Sequence, residues 1–221
     1  MGTIIKYCNR AIVLNEGVKI AEGEPNVMVD VYKKILVNCY DGQTKQNESD
    51  MSDNEKRLPQ NIWKEKIEVN PNFLEYGDKR AEIIDYGIFN DRDELNQVLV
   101  KEQSCTFRLK IMFNETIKNP IYAFTIKDIK GTEIVGTNSM VELVNTGIVN
   151  GNNIVEVAFE QKMILQGGQY FLSLGCTGFE ANDEFVVYHR LYDIIRFEVI
   201  AVKNTVGYFD INSNVRYFIY S

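Results

Sequence analysis

His189 is the only histidine in the chain, so any acid-base or nucleophilic reading has to start there. A serine triad would need Ser and Asp partners brought to it from elsewhere, and no G-x-S-x-G turn marks a nucleophile. Glu180, Asp183 and Glu184 lie close together, but a hydrolase pair faces across a cleft, whereas neighbouring acids in a Gly/Asn-rich segment read as a solvated loop. Cys8, Cys39, Cys105 and Cys176 contain no C-x-x-C pair, which leaves neither a zinc knuckle nor a dithiol redox motif. They read as free thiols of a reducing compartment. No G-x-x-x-x-G-K-[ST] occurs, so the backbone cradle and lysine of a phosphate loop are missing. The sequence therefore predicts no catalytic residue, no metal site and no cofactor of its own.

Composition narrows the partners. The net charge of −7 opposes a phosphate backbone, which needs clustered Lys and Arg to release counterions, and excludes nucleic acid. No apolar run reaches the 18 or so residues of a membrane span, and the N-terminus lacks a basic-then-apolar signal pattern. With 45% hydrophobic and 25% charged residues, 221 residues suffice for one or two ordinary globular domains.

The elements that must position any site are strands. In CTFRLKIMF (105 to 113), Cys105, Phe107, Leu109, Ile111 and Phe113 alternate with Thr106, Arg108, Lys110 and Met112; this predicts a half-buried strand with Arg108 and Lys110 on its wet face. PIYAFTIKD (120 to 128) alternates likewise, and the two read as a hairpin. Further strand-like runs at 80 to 90, 131 to 143, 153 to 161, 169 to 175, 184 to 193 and 194 to 200 are divided by turn signals, with no helical period between them. The expected fold is all-β, an immunoglobulin-like antiparallel sandwich of seven or eight strands in two sheets, preceded by a lead-in from 61 to 76.

Ahead of it, RAIVLNEGVKIAEG (10 to 23) reads as two short strands around Asn15-Glu16-Gly17, with Ala11, Val13 and Ile20 apolar. Pro25 then opens a helix whose stripe is Val27, Met28, Val31, Tyr32 and Ile35. Residues 41 to 60 carry only Met51 and Leu58 as sizeable apolar side chains, which predicts a flexible tether. The expected organisation is a hairpin-plus-helix unit (1 to 40), a linker (41 to 60) and a β-sandwich (61 to 221).

YCNRAIVLNEGVKIAEGEPNVMVDVYKKIL (7 to 36) resembles the last segment of an ABC-transporter nucleotide-binding domain, the piece that follows the catalytic histidine loop. The phosphate loop, signature motif and acidic strand end of that family are missing, so ATP and Mg are expected only of a full-length parent, and Met1-Gly2 reads as an engineered or internal start. The β-rich part resembles the C-terminal domain of Wzt-type ABC transporters, which export O-antigen and teichoic-acid-like polysaccharides, in NPIYAFTIKDIKGTEIVGTN (119 to 138), GGQYFLSLG (167 to 175) and HRLYDIIRFEV (189 to 199).

That resemblance implies a non-catalytic domain that binds the exported glycan or its terminal group. It implies a homodimer that in known members exchanges a C-terminal strand, a link to a transmembrane subunit through the missing ATPase domain, and a cytoplasmic place at the inner membrane face. The alternative is a dimerisation or coupling module with no glycan contact. The tail VGYFDINSNVRYFIYS (206 to 221) has the apolar content of a strand, swapped or edge. Sugar recognition asks for flat apolar faces beside planar hydrogen-bonding groups, and 12 Tyr and 12 Phe give ample stock. The candidate contacts are Arg108, Lys110, Thr137, Asn138, Phe171, Tyr188, His189, Arg190 and Tyr192.

Overall fold

The computed structural model describes residue 4, residues 7–36, 62–180 and 183–220. The expected linker, Cys39 and the start at Met1-Gly2 lie outside the described residues.

In the N-terminal unit, β1 (Ala11–Asn15) and β2 (Val18–Gly23) pair antiparallel. Glu16 and Gly17 both have positive φ, 49° and 81°, the backbone that a two-residue hairpin turn requires. Helix α1 (Pro25–Leu36) packs on both strands. Val13, Met28 and Val29 are buried, while Val27 and Tyr32 of the expected stripe are exposed, so the buried stripe runs one position further round the helix.

The sandwich is built from two sheets. The smaller has the order β11 (Ile154–Lys162), β6 (Ser104–Phe113), β4 (Ala81–Phe89). The larger runs β3 (Leu74–Tyr76), β13 (Phe185–Ile200), β12 (Gly168–Phe179), β8 (Ile121–Asp128), β9 (Glu133–Asn138). Phe107, Leu109 and Ile111 from the first sheet and Phe124, Leu172, Leu174, Ile195 and Phe197 from the second form one core. Phe107 meets Phe124 edge to face at 5.1 Å across it.

Three sequence expectations are corrected here. The runs at 105 to 113 and 120 to 128 are not a hairpin: β6 and β8 belong to opposite sheets. Each strand has one apolar face, and lying in opposed layers lets those faces cover each other. The chain crosses between layers through β7 (Ile117–Lys118), which pairs with β10 (Ile148–Val149), and turns at Asn119 with φ 47° before Pro120. The runs expected at 184 to 193 and 194 to 200 form one long strand, Phe185–Ile200, not two; its pairing with β12 shifts register twice, once opposite Cys176 and Thr177 and once at a bulge at Asp193, whose φ is 55°. The sheet is also not wholly antiparallel, because β5 (Val98–Val100) runs parallel to the end of β13.

The 206 to 221 tail is no regular strand among the described residues. It is pinned by a bridge from Phe209 to Leu165 and by Asp210, whose carboxylate accepts a 2.9 Å bond from the buried Lys101 ammonium. Beyond it Ile211, Val215, Tyr217, Phe218, Ile219 and Tyr220 are exposed.

Candidate functional site on the outer face of the large sheet

Strand register fixes which side chains share the outer face. One row across the sheet reads Asn138 on β9, Ala123 on β8, Gly175 on β12, Arg190 on β13 and Tyr76 on β3. The next holds Gly136, Thr125 and Ser173, ending near Tyr192 and Leu74, and the third holds Glu133, Lys127, Phe171 and Arg196. Glycine, alanine, serine and threonine thus make the floor, and longer side chains make the walls. The resulting trough has a volume of about 430 Å³ and is bounded by Thr125, Gly136, Asn138, Val141 and Arg190.

Arg190 closes the trough on the β13 side, and beyond it lies an aromatic stack. Tyr76 lies over Tyr192 with ring centroids 5.8 Å apart and hydroxyls 3.5 Å apart. The Arg190 guanidinium sits 5.0 Å from the Tyr192 centroid and the Lys127 ammonium 4.6 Å from it, so two cations pack against the ring. Lys127 is buried and paired with Asp193 at 3.0 Å, and Ser173 donates to the same carboxylate at 3.1 Å. The bulge at Asp193 turns its carboxylate back over the sheet to make those bonds. Arg190 holds no such partner: Nη2 reaches Thr125 Oγ1 at 3.4 Å, and its buried Nε has no acceptor.

Arg190, Phe171 and Asn138 therefore converge on this face as expected from their outward positions, and Tyr192 shares the face but is only 4% exposed, packed against Tyr76, Lys127 and Arg190. The remaining candidates do not. Thr137 points the other way and donates to Glu142 at 2.6 Å. It lines a second concavity of about 670 Å³ between the edges of β9 and β11, floored by Tyr122, Phe124, Val155, Val157 and Phe159 and rimmed by Glu156 and Glu160. Tyr188 is a buried core residue under the Arg80 guanidinium, 5.1 Å from its centroid.

Arg108 and Lys110 lie on the small sheet. Arg108 pairs with Asp93 over the Phe89 ring. Lys110 is buried, not wet: the lead-in after residue 61 covers that face, so Lys110 stands 3.6 Å over the Trp63 ring and 3.3 Å from Asp85. The backbone N–H groups of Trp63 and Lys64 also donate to Asp85, at 3.1 and 3.0 Å.

His189 is 2% exposed and structural in its bonding. Nδ1 accepts the Ile83 N–H at 2.8 Å, joining the two sheets, which leaves the ring proton on Nε2 for Glu75 at 2.9 Å. That bond is the main cause holding the Glu75 carboxyl down at about 2; Lys79 adds to it and burial opposes it. Glu75, Glu82 and His189 bring their donor atoms within 4.8 Å of one another, the spacing of a metal site. A metal on Nε2 would need the proton on Nδ1, where the Ile83 N–H already points. The Lys79 ammonium also neutralises both carboxylates, at 2.8 and 3.1 Å, so the cluster is an ion-pair network.

The residues missed in the sequence are Tyr76, Thr125, Lys127, Ser173 and Asp193. The alternation of Ala123, Thr125 and Lys127 against Tyr122, Phe124 and Ile126 carried the signal for the β8 members. Tyr76 sits on a three-residue strand, too short for any period.

A family model of the Wzt C-terminal domain matches residues 72–211. Among solved structures, the chain is similar to the crystal structure of the C-terminal domain of Wzt, with a TM-score of 0.65, 22% identity, and coverage of 71% of this chain and 95% of that one. Pseudomonas fluorescens alkylpurine DNA glycosylase AlkC bound to abasic-site DNA aligns at a TM-score of 0.35 and 10% identity over 55% of this chain and 31% of its own. The β-glucosidase from Listeria innocua in complex with glucose aligns at 0.30 and 12% over 56% and 17%. Similarity that low carries no argument. No curated protein matches the chain. With the family match spanning most of its length and the fold agreeing, the chain belongs to the Wzt C-terminal domain family, a C-terminal domain of ABC transporters.

Proposed function

We propose that the domain is a non-catalytic carbohydrate-binding module that holds the polysaccharide, or its terminal group, for an ABC exporter, and that the outer face of the large sheet is where it does so. The observation that carries this reading is the Tyr76–Tyr192 stack standing beside the unpaired Arg190 over a floor of small residues. Aromatic rings take the C–H face of a sugar, while guanidinium, amide and hydroxyl groups take its hydroxyls. A shallow trough binds one sugar weakly, so two copies in a dimer raise the effective affinity by tethering.

The rest of the proposal draws on the family resemblance. Residues 1 to 40 are the end of an ATPase domain and 41 to 60 its tether; the parent binds ATP and Mg, contacts the transmembrane subunit through that domain, and works on the cytoplasmic side. The partner is polysaccharide, not nucleic acid, in keeping with the net charge of −7. A homodimer with C-terminal strand exchange is supported by the exposed apolar residues Ile211, Val215 and Tyr217 to Tyr220, which a second protomer would cover. They equally support the second reading, a coupling module without glycan contact.

Affinity electrophoresis of the purified chain through gels containing the host's own surface polysaccharide separates the two. Glycan binding predicts retardation that Tyr76→Ala, which truncates the half-buried ring of the stack, abolishes while the dimer persists. A dimer that migrates the same with and without polysaccharide would establish the coupling role and remove this one.

A further inference from the structure

We infer that the trough takes an acidic sugar, with Arg190 as the anchor for a pair of anionic oxygens such as a uronic acid carboxylate; this rests on the glycan reading of the same face.

The argument starts from Gly175. The register places it directly between Ala123 and Arg190, and the absence of a side chain there lets the Arg190 chain lie across β12 toward β8. A Cβ on Gly175 would come within 2.6 Å of Nη1 and 2.8 Å of Cδ. The guanidinium is thereby held flat, with Tyr192 5.0 Å from it and only the long Thr125 bond at its far end.

Its charge is unanswered. Arg80 holds Asp78 and Glu180, and Arg108 holds Asp93, but among the described residues no carboxylate pairs with Arg190. Asp193, the acid next along β13, is already committed to Lys127 and Ser173. Glu133 lines the far end of the trough, in the third row opposite Lys127 and five residues along β9 from the Asn138 of Arg190's own row. Within the first two rows the neighbours are Asn138, Ala123, Gly175, Tyr76, Gly136, Thr125 and Ser173, none of them acidic.

A fixed, planar guanidinium with open donor positions is suited to two coplanar oxygens on one carbon or to two oxygens of a phosphate ester. Neutral hydroxyl pairs use the same donors but leave the charge unmatched. The buried Nε without an acceptor shows that the protein does not itself complete the hydrogen bonding of this group.

The test is an NMR titration of the full chain with methyl β-D-glucuronide, methyl β-D-glucoside and glucose 6-phosphate, alongside the host polysaccharide. The glucuronide should bind about tenfold more tightly than the glucoside, the scale of one charge-assisted pair. That preference should shrink in high salt, fall in Arg190→Lys and vanish in Arg190→Gln. Competition by the phosphate ester at the same residues would support recognition of paired anionic oxygens in general, and lack of competition would support carboxylate in particular. Equal binding of glucuronide and glucoside, or a preference that survives Arg190→Gln, would overturn the inference while leaving the glycan reading intact. No saturable shift with any sugar, polysaccharide included, would remove both.

Discussion

Arg190 lies across Gly175, so close that a methyl group on the glycine would come within 2.6 Å of Nη1. The contact ties the shape of the trough to one absent side chain. The clashing atoms belong to a flexible side chain, not to backbone, so the site should change while the fold does not. Gly175→Ala is expected to keep stability within about 1 kcal/mol of wild type while displacing the guanidinium and lowering glycan affinity. Chemical denaturation read beside binding checks both halves.

Gly77→Ala is the opposite case. Gly77 has φ 140°, and a Cβ there would overlap the Tyr188 carbonyl and lie 2.7 Å from His189 Cα. Backbone cannot swing away as an arginine can. The substitution should destabilise the domain by more than ~3 kcal/mol, the combined scale of a positive-φ cost and a forced overlap.

The buried pair Asp85–Lys110 supports the lead-in against the small sheet. Asp85→Ala removes the carboxylate from the Lys110 ammonium over Trp63 and frees three backbone N–H groups, those of Trp63, Lys64 and Tyr86, and should cost ~3–5 kcal/mol. Adding Lys110→Met to that variant should recover part of the loss, because the buried charge that lost its carboxylate is then gone. Urea denaturation of the single and double variants measures it.

The architecture was legible in the sequence because apolar alternation reports a face, and 105 to 113 and 120 to 128 each bury the face that their spacing predicted. Alternation does not report a neighbour. It could not tell that β6 and β8 lie in opposite layers, since either placement buries Phe107 and Phe124. The same limit applies to the site. Arg190 and Asn138 were recognisable as outward, yet that they share a row was set by pairings with Ala123 and Gly175, which are long-range. Lys110 misled for a related reason: its face is outward within the sheet but is covered by residues some forty-five positions earlier in the chain, around Trp63.

Acid should weaken the fold at two known places. Glu75, which bonds His189, and Asp210, which bonds Lys101, both have carboxyls held down at about 2, below their ordinary values of 4.5 and 3.8. A depressed carboxyl stabilises the fold above its unfolded value and loses that contribution as pH falls through the folded one. Stability should therefore decline between about pH 4.5 and pH 2. Asp210→Asn removes one titrating group and should flatten the decline; an unchanged slope would show that the Lys101 pair contributes nothing.

Thiol chemistry should sort the cysteines by burial. Cys8 is exposed, whereas Cys105 and Cys176 are buried, with burial pushing the Cys105 thiol up to about 11 and the Cys176 thiol higher still. Iodoacetamide should label Cys8 in the native protein and reach Cys105 and Cys176 only after denaturation, as peptide mass mapping would show.

The account stands most directly on where the glycan lands. Titrating isotope-labelled full chain with the host polysaccharide and following backbone amide shifts locates it. The outer-face site predicts saturable shifts centred on Asn138, Ala123, Thr125, Gly175, Arg190 and Tyr76. Shifts confined to the groove between β9 and β11 or to the small sheet, or none that saturate, would contradict it.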